Sequence, residues 1–386
     1  MKRVISILCL SMLFTSCNNQ RQNRDIFASG QQELVNVRTI PIEVSDTAYR
    51  HVDQTFELTS YVILSNDILL GEEERVRISE EHIYILDRTP KLVCFDMKGK
   101  VVFTIDSQGP GPEEYGEITD FAIDELLNLL WIYDSTKRRL VAYDLFTGEY
   151  RRALSATYMA PEKMAIQDGS FFFHMPNNFN YPDNSDMHYL LFMSLNGSQI
   201  DERFFPHDET AKFHFTYGEE HPFYYNEKAL YYIQDYGDTV YTLTDKGARA
   251  LYKVELPNPL PFDVLMQVTP SLELMESPYS WLLSNAYESD GVLNLWFAKA
   301  GSYCTALYDL QQDKLIYAGK RIDNIPTKDL LFFYPIRGVY EGNFYSVVPS
   351  FVIQYKIAED SSVFPEDLRN MSADDNSVVA FYKVRR

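Results

Sequence analysis

The chain has 386 residues, 46% hydrophobic and 23% charged, with 17 Gly and 18 Pro, which excludes bulk disorder and collagen-like order. A chain of this length buries a core without disulfide staples. Its formal net charge of -20 comes with no basic stripe, which excludes nucleic-acid binding, and its 28 Tyr and 25 Phe favour sheet over helix.

The N-terminus, MKRVISILCLSMLFTSC, has a basic start and an apolar run from Val4 to Phe14. The run is too short to span a bilayer and reads as an export leader over residues 1–17. Its Phe-Thr-Ser-Cys ending resembles a bacterial lipoprotein processing box, implying cleavage before Cys17 and diacylation of that residue. Two acyl chains would anchor an acidic body, so the expected membrane contact is lipid alone. Residues 18–33 read as a polar tether, and 34–386 as one folded domain. No acid follows Cys17 directly, so an outer-membrane lipoprotein of a Gram-negative envelope is expected to face the periplasm rather than the surface.

Beyond the leader only Cys94 and Cys304 remain, both in apolar strand-like runs, and both are expected as buried free thiols. There is no CxxC pair and no metal-type spacing.

The remainder is organised by a repeat. In 78–105 an alternating strand ends at Asp87, a second ends at Asp96, and a turn at Gly99 leads to a third. The next unit matches it with Asp134, Asp144 and Gly148. Eroded copies surround Gly197 and Gly247, so the glycine intervals are 49, 49 and 50 residues. Later units, NLWFAKAGSYCTALYDLQQDKLIYAG and GNFYSVVPSFVIQYKI, are weaker. A period near 50 residues filled with short strands is the size of a four-stranded propeller blade. Helical patterns are confined to short ambiguous stretches around 262–280 and 363–370, which disfavours parallel α/β folds. The span from 34 to 386 holds about seven such lengths, or six with some long loops, so the expected fold is an all-β propeller of four-stranded antiparallel blades.

These units resemble NHL-type and TolB-like propeller repeats. More closely, SYVILSNDILLGEEERVRISEEHIYILD followed by the Gly109–Tyr115 loop is similar to a group of Bacteroidetes six-bladed β-propeller lipoproteins. The likeness is strong over 57–152 and fainter beyond, and Pro112 or Glu113 stands where that group usually has glycine. The resemblance implies fold and export without established chemistry. It also implies ring closure by an N-terminal outer strand, for which VNVRTIPIEV (35–44) pairing with the C-terminal VVAFYKV is the expected choice.

In such a ring, the loops joining blades and those joining second and third strands share one face. The long segments 107–117, 206–223, 267–280 and 175–186 are assigned there, whereas DRTPK and DMKGK read as short turns of the other face. A repeat scaffold usually binds through its long loops. Within the Gly-Pro-Gly-Pro loop, which should be rigid, Glu113, Glu114 and Tyr115 are candidate ligand contacts beside a connector role. In the second loop, Asn177, Asn178 and Asp183 offer donors and acceptors for saccharide hydroxyls, with Phe179 or Tyr181 to stack on a sugar face. Asp87 and Asp134 are expected to bond turn amides. His207, His214 and His221, seven apart, fit no standard zinc spacing. No metal, cofactor or catalytic residue is assigned. The expected function is an envelope binding module for a protein or carbohydrate; the alternative is a hydrolase or lyase acting on a saccharide or lactone in the central funnel.

Overall fold

The computed structural model describes residues 37–44, 54–157, 159–175, 188–194, 199–206, 221–227, 229–261, 264, 277–320 and 325–385. After β1 (Arg38–Pro41) and β2 (Phe56–Ile63), strands follow in groups of four. Blade one is β3 (Glu73–Ser79), β4 (His82–Asp87), β5 (Lys91–Asp96) and β6 (Val101–Ile105). Blade two is β7 (Ile118–Asp124), β8 (Leu129–Asp134), β9 (Arg139–Asp144) and β10 (Tyr150–Ser155). Blade three is β11 (Lys163–Gln167), β12 (Ser170–His174), β13 (His188–Ser194) and β14 (Glu202–Pro206). Blade four is β15 (Phe223–Asn226), β16 (Ala229–Ile233), β17 (Thr239–Thr244) and β18 (Gly247–Glu255). Blade five is β19 (Ser280–Ser289), β20 (Val292–Lys299), β21 (Ser302–Asp309) and β22 (Lys314–Lys320). Blade six combines β23 (Ile336–Tyr340), β24 (Asn343–Val348) and β25 (Val378–Val384) with β2. The protein is a six-bladed β-propeller.

Alternation along the middle strands explains why blades stack. On β4, Tyr84 and Leu86 join a cluster with Phe121, Leu130 and Ile132 of blade two. The intervening Ile83 and Ile85 join Tyr345, Val347 and Phe381 of blade six. A strand buried on both faces therefore reads as nearly continuous apolar sequence, and each such side chain contributes roughly 1.5–3 kcal/mol. The outer strand β10, by contrast, has no buried residue. Cys94 and Cys304 are buried free thiols, and burial pushes the Cys94 thiol up to about 12.

Ring closure differs from the expectation in one strand. VVAFYKV is the partner, but its antiparallel mate is β2, running from Phe56 opposite Val384 to Ile63 opposite Val378. The expected 35–44 segment instead places β1 parallel to β18, as a fifth strand on blade four. Two features account for the choice. The eight residues of β2 span all seven of β25, whereas β1 is four residues long and carries Pro41, which has no amide hydrogen. Ile40 and Ile42 then bury against Val240, Tyr252 and Val254.

The turn chemistry follows the repeat. Asp87 accepts from the Thr89 amide at 3.0 Å and the Gly71 amide at 2.9 Å. Asp134 accepts from Lys137 N at 3.1 Å and Glu117 N at 3.3 Å. Each carboxylate thus ties a turn between second and third strands to the connector entering its own blade. DRTPK is such a turn, between β4 and β5, so it lies on the long-loop face rather than the short one. Gly99 holds φ +80° between β5 and β6, and a β-carbon there would strike the Ile63 carbonyl of the closing strand. The first-to-second-strand turns Asp168-Gly169, Asp290-Gly291 and Glu341-Gly342 have positive φ at both residues, which marks type I′ hairpins.

The last repeat unit departs from a strand reading. After β24, Pro349 starts a helix, α1 (Ser350–Glu359), a 3-10 turn follows at Ser361–Val363, and α2 spans Glu366–Arg369. FVIQYKI is therefore helical: Ile353 and Lys356 point inward, and Phe351 and Tyr355, one turn apart, point outward.

Candidate functional site

A cavity of 620 Å³ lies along the ring axis, lined by first strands and by long-loop-face segments 70–72, 349–351 and 373–377. Its walls include Arg75 and Arg77 of β3, Lys163 of β11, Tyr225 of β15, Asn285 and Tyr287 of β19 and Arg337 of β23. The size falls in the range of small-molecule sites. At its rim, Phe351 is 61% exposed, and Tyr355 beside it on α1 is 60% exposed.

Four blades meet in a buried clasp at the cavity wall. Arg75 Nη1 of blade one donates to Asp120 Oδ1 and the Phe121 carbonyl of blade two, and to the Met164 carbonyl of blade three at 3.2 Å. Asp120 Oδ2 accepts from Met164 N at 2.6 Å and from His221 Nε2, at the head of blade four, at 2.9 Å. Burial opposes ionisation of Asp120, but Arg75 and His221 more than offset it and hold the carboxyl well below the usual range. Burial, then Arg75, lower the His221 pKa to about 3, so the ring is neutral. With Nε2 donating to Asp120, Nδ1 accepts from Phe223 N at 3.3 Å.

A second group of cations crosses the axis. The Arg77 guanidinium lies 3.3 Å from the ring centroid of Tyr225 on the opposite blade, a cation–π contact. Tyr225 is itself fixed by blade three, its hydroxyl accepting from Ile166 N at 2.9 Å. Tyr345 reaches the cavity because Gly338 opposite it has no β-carbon, and its hydroxyl donates to the Val76 carbonyl at 3.3 Å. Burial raises the Tyr345 pKa, while Arg77, Arg75 and Arg337 all oppose that shift, so the three guanidiniums act on one point.

The opposite opening has another character. Glu80, Glu81, Glu125, Asp168, Glu227, Asp290 and Glu341 lie in the short turns between first and second strands. Across that opening Gly342 N donates to Glu227 Oε1, linking blades six and four. Among the described residues no cluster of acids, His or Cys has metal-binding geometry.

Of the candidate ligand contacts named from sequence, the three among the described residues lie apart from this cavity. None of Glu113, Glu114 and Tyr115 lines the cavity. Tyr115 is wholly buried between blades one and two, its hydroxyl donating to the Pro90 carbonyl at 2.6 Å. Glu114 accepts from Gly111 N at 2.7 Å, and Glu113 is exposed. The loop wraps around Lys137, whose ammonium donates to the carbonyls of Gly109 at 2.7 Å, Gly111 at 2.9 Å and Glu114 at 2.6 Å. Gly109 and Gly111 are needed for room beside the Glu114 carboxylate rather than for left-handed backbone angles. Asn177, Asn178, Phe179, Tyr181 and Asp183, together with Cys17, His207 and His214, lie outside the described residues.

Sequence reasoning missed Arg75, Arg77, Lys163 and Arg337. The available signal was an Arg-x-Arg on a first strand, EERVRIS, of an acidic chain. His221 drew notice only in a spacing argument about metals.

Two solved structures from Bacteroides are among those that the fold matches. One is a candidate exported protein from Bacteroides fragilis, 16% identical, with a TM-score of 0.72 over 91% of this chain and 100% of that one. The other, a member of the DUF4221 family from Bacteroides vulgatus, is 13% identical with a TM-score of 0.54 over 86% and 99%. No protein of curated function matches the sequence. A family model matches residues 38–383, nearly the whole folded body, and the chain belongs to that family, described as a domain of unknown function, DUF4934.

Proposed function

We propose that this protein is an envelope binding module whose ligand seat is the long-loop-face mouth of the central cavity, and that the ligand is a small polar molecule of the carbohydrate class. The observation that carries the reading is the 620 Å³ cavity itself, polar inside and bordered at its mouth by the exposed ring of Phe351, with the exposed Tyr355 one helical turn away on α1. Aromatic faces beside convergent donors and acceptors suit a sugar, which presents apolar C–H faces and hydroxyl edges. Asn177, Asn178, Phe179, Tyr181 and Asp183, in the sequence between β12 and β13, are proposed as further sugar contacts.

The leader and the Cys17 box support export and lipid anchoring, and no helix of the described residues is long and apolar enough to cross a membrane. Substituting Cys17→Ser in cells fed labelled palmitate tests the anchor: label lost with Cys17 supports it, and label retained refutes it. An envelope protein is the other partner class, and amine cross-linking in intact cells addresses it.

The hydrolase or lyase reading has one arrangement in its favour, the Asp120–His221 pair. Asp120 spends both oxygens on Arg75, Met164 N and His221, and both His221 nitrogens are bonded, so neither offers a proton acceptor to a substrate. Binding is the better-supported role. The test is a panel of mono- and disaccharides scored by thermal shift on the full-length protein, beside F351A and Y355A. A shift that both variants reduce supports the reading; a full panel without any shift refutes it.

A further inference from the structure

We propose that the cavity holds the carboxylate of an acidic saccharide, seated by Arg77, Arg337 and Lys163, with Arg75 behind them adding charge. The inference rests on the binding reading above and specifies its ligand.

In a chain of net charge -20, four cations line one cavity. Arg75 is only 9% exposed and satisfied on Nη1, yet its Nη2 is buried with no hydrogen-bond partner. Arg77 Nε is likewise buried and unbonded. Among the described residues, Arg77, Arg337 and Lys163 form no ion pair and are all part-buried. Asp120 balances one charge, that of Arg75, and an anion from solvent would balance the part-buried cations that remain.

Five acids line the same cavity, toward its long-loop-face end, and do not pair with these cations. Glu73 accepts from Ser377 Oγ, Glu72 pairs with Arg88, and Asp375 accepts from Ser372 N at 2.7 Å. Glu74 and Asp374 stay exposed at the mouth. Those two accept from hydroxyls and repel further negative charge, which favours one singly charged carboxylate over a phosphate dianion. Guanidinium forks match a carboxylate edge, and the hydroxylated body would lie toward Phe351.

The experiment titrates the full-length protein in detergent with galacturonate, galactose and inorganic phosphate by calorimetry, beside R337Q and K163Q. Galacturonate is expected to bind at least ten-fold more tightly than galactose, to weaken with salt, and to lose at least ten-fold in each variant. Ligand-free Tm should hold or rise in both, because each substitution removes an unpaired charge; a merely structural role would lower it. Equal binding of galacturonate and galactose, indifferent to both variants, overturns the anion seat while the saccharide reading stands. Phosphate bound without galacturonate, or neither bound, overturns the assignment, and the saccharide panel then decides the parent reading on its own.

Discussion

The Asp120 carboxylate of blade two lies 2.9 Å from His221 Nε2 at the head of blade four, and its other oxygen takes Arg75 of blade one. Blade three closes the set through the Met164 amide. One buried acid therefore fixes the relative positions of four first strands, and the cavity wall is as rigid as that carboxylate is satisfied. Asp120→Ala should destabilise the fold by about 3–5 kcal/mol, because it leaves Arg75 buried and uncompensated. Replacing both, as R75M/D120L, should lose less than Asp120→Ala alone. Urea unfolding of the three proteins checks the order.

The same clasp sets a pH dependence. Free histidine titrates near 6.5, and His221 is held down to about 3, so between those values the unfolded chain binds a proton that the folded one does not. Its stabilising effect is complete above about pH 7 and is lost as pH falls toward 3. Asp120, held below its ordinary value of about 3.9, adds a further loss only under about pH 4. His221→Gln should therefore flatten the stability curve between pH 6.5 and 4.5, by up to about 1.4 kcal/mol per pH unit. Unfolding midpoints measured across that range decide it, and an unchanged slope contradicts the assignment.

The connector at 107–117 is predicted to act as a structural bracket. Tyr115→Phe removes the hydroxyl bond to Pro90 and should lose about 1–2 kcal/mol. Lys137→Met removes a donor from three carbonyls and should speed amide exchange at Gly109, whose N donates to the Tyr115 carbonyl at 2.9 Å, and at Tyr115, whose N donates to the Ser107 carbonyl at 3.2 Å. Saccharide affinity should be unchanged in Tyr115→Phe.

Ring closure through β2 predicts unequal truncations. Removing residues 1–44 strips β1 from blade four but leaves β25 paired, so the product should fold with reduced stability. Removing 1–64 bares the whole edge of β25 and should give aggregated protein. Size-exclusion profiles of the two truncations separate these outcomes, and equal behaviour contradicts the closure.

The blades were legible because their strands repeat locally: Asp87, Asp96 and Gly99 recur as Asp134, Asp144 and Gly148, and each carboxylate accepts from an amide of its own turn. The cavity was not, because its residues share no local pattern. Arg75, Lys163, His221 and Arg337 come from four blades, and only the closed ring brings them together. The closing strand was misplaced for a related reason. Segments 35–44 and 56–63 both alternate, and the choice between them turns on length and on one missing amide hydrogen at Pro41. The α1 helix was misread because FVIQYKI fits period two nearly as well as period 3.6.

Hydrogen exchange of the full-length protein, with and without saturating galacturonate, is the most direct test that the cavity mouth is the seat. The account predicts added protection over 70–77, 334–338, 349–352 and 373–377, with 107–117 unaffected. Protection confined to 107–117, or none at saturation, would contradict it.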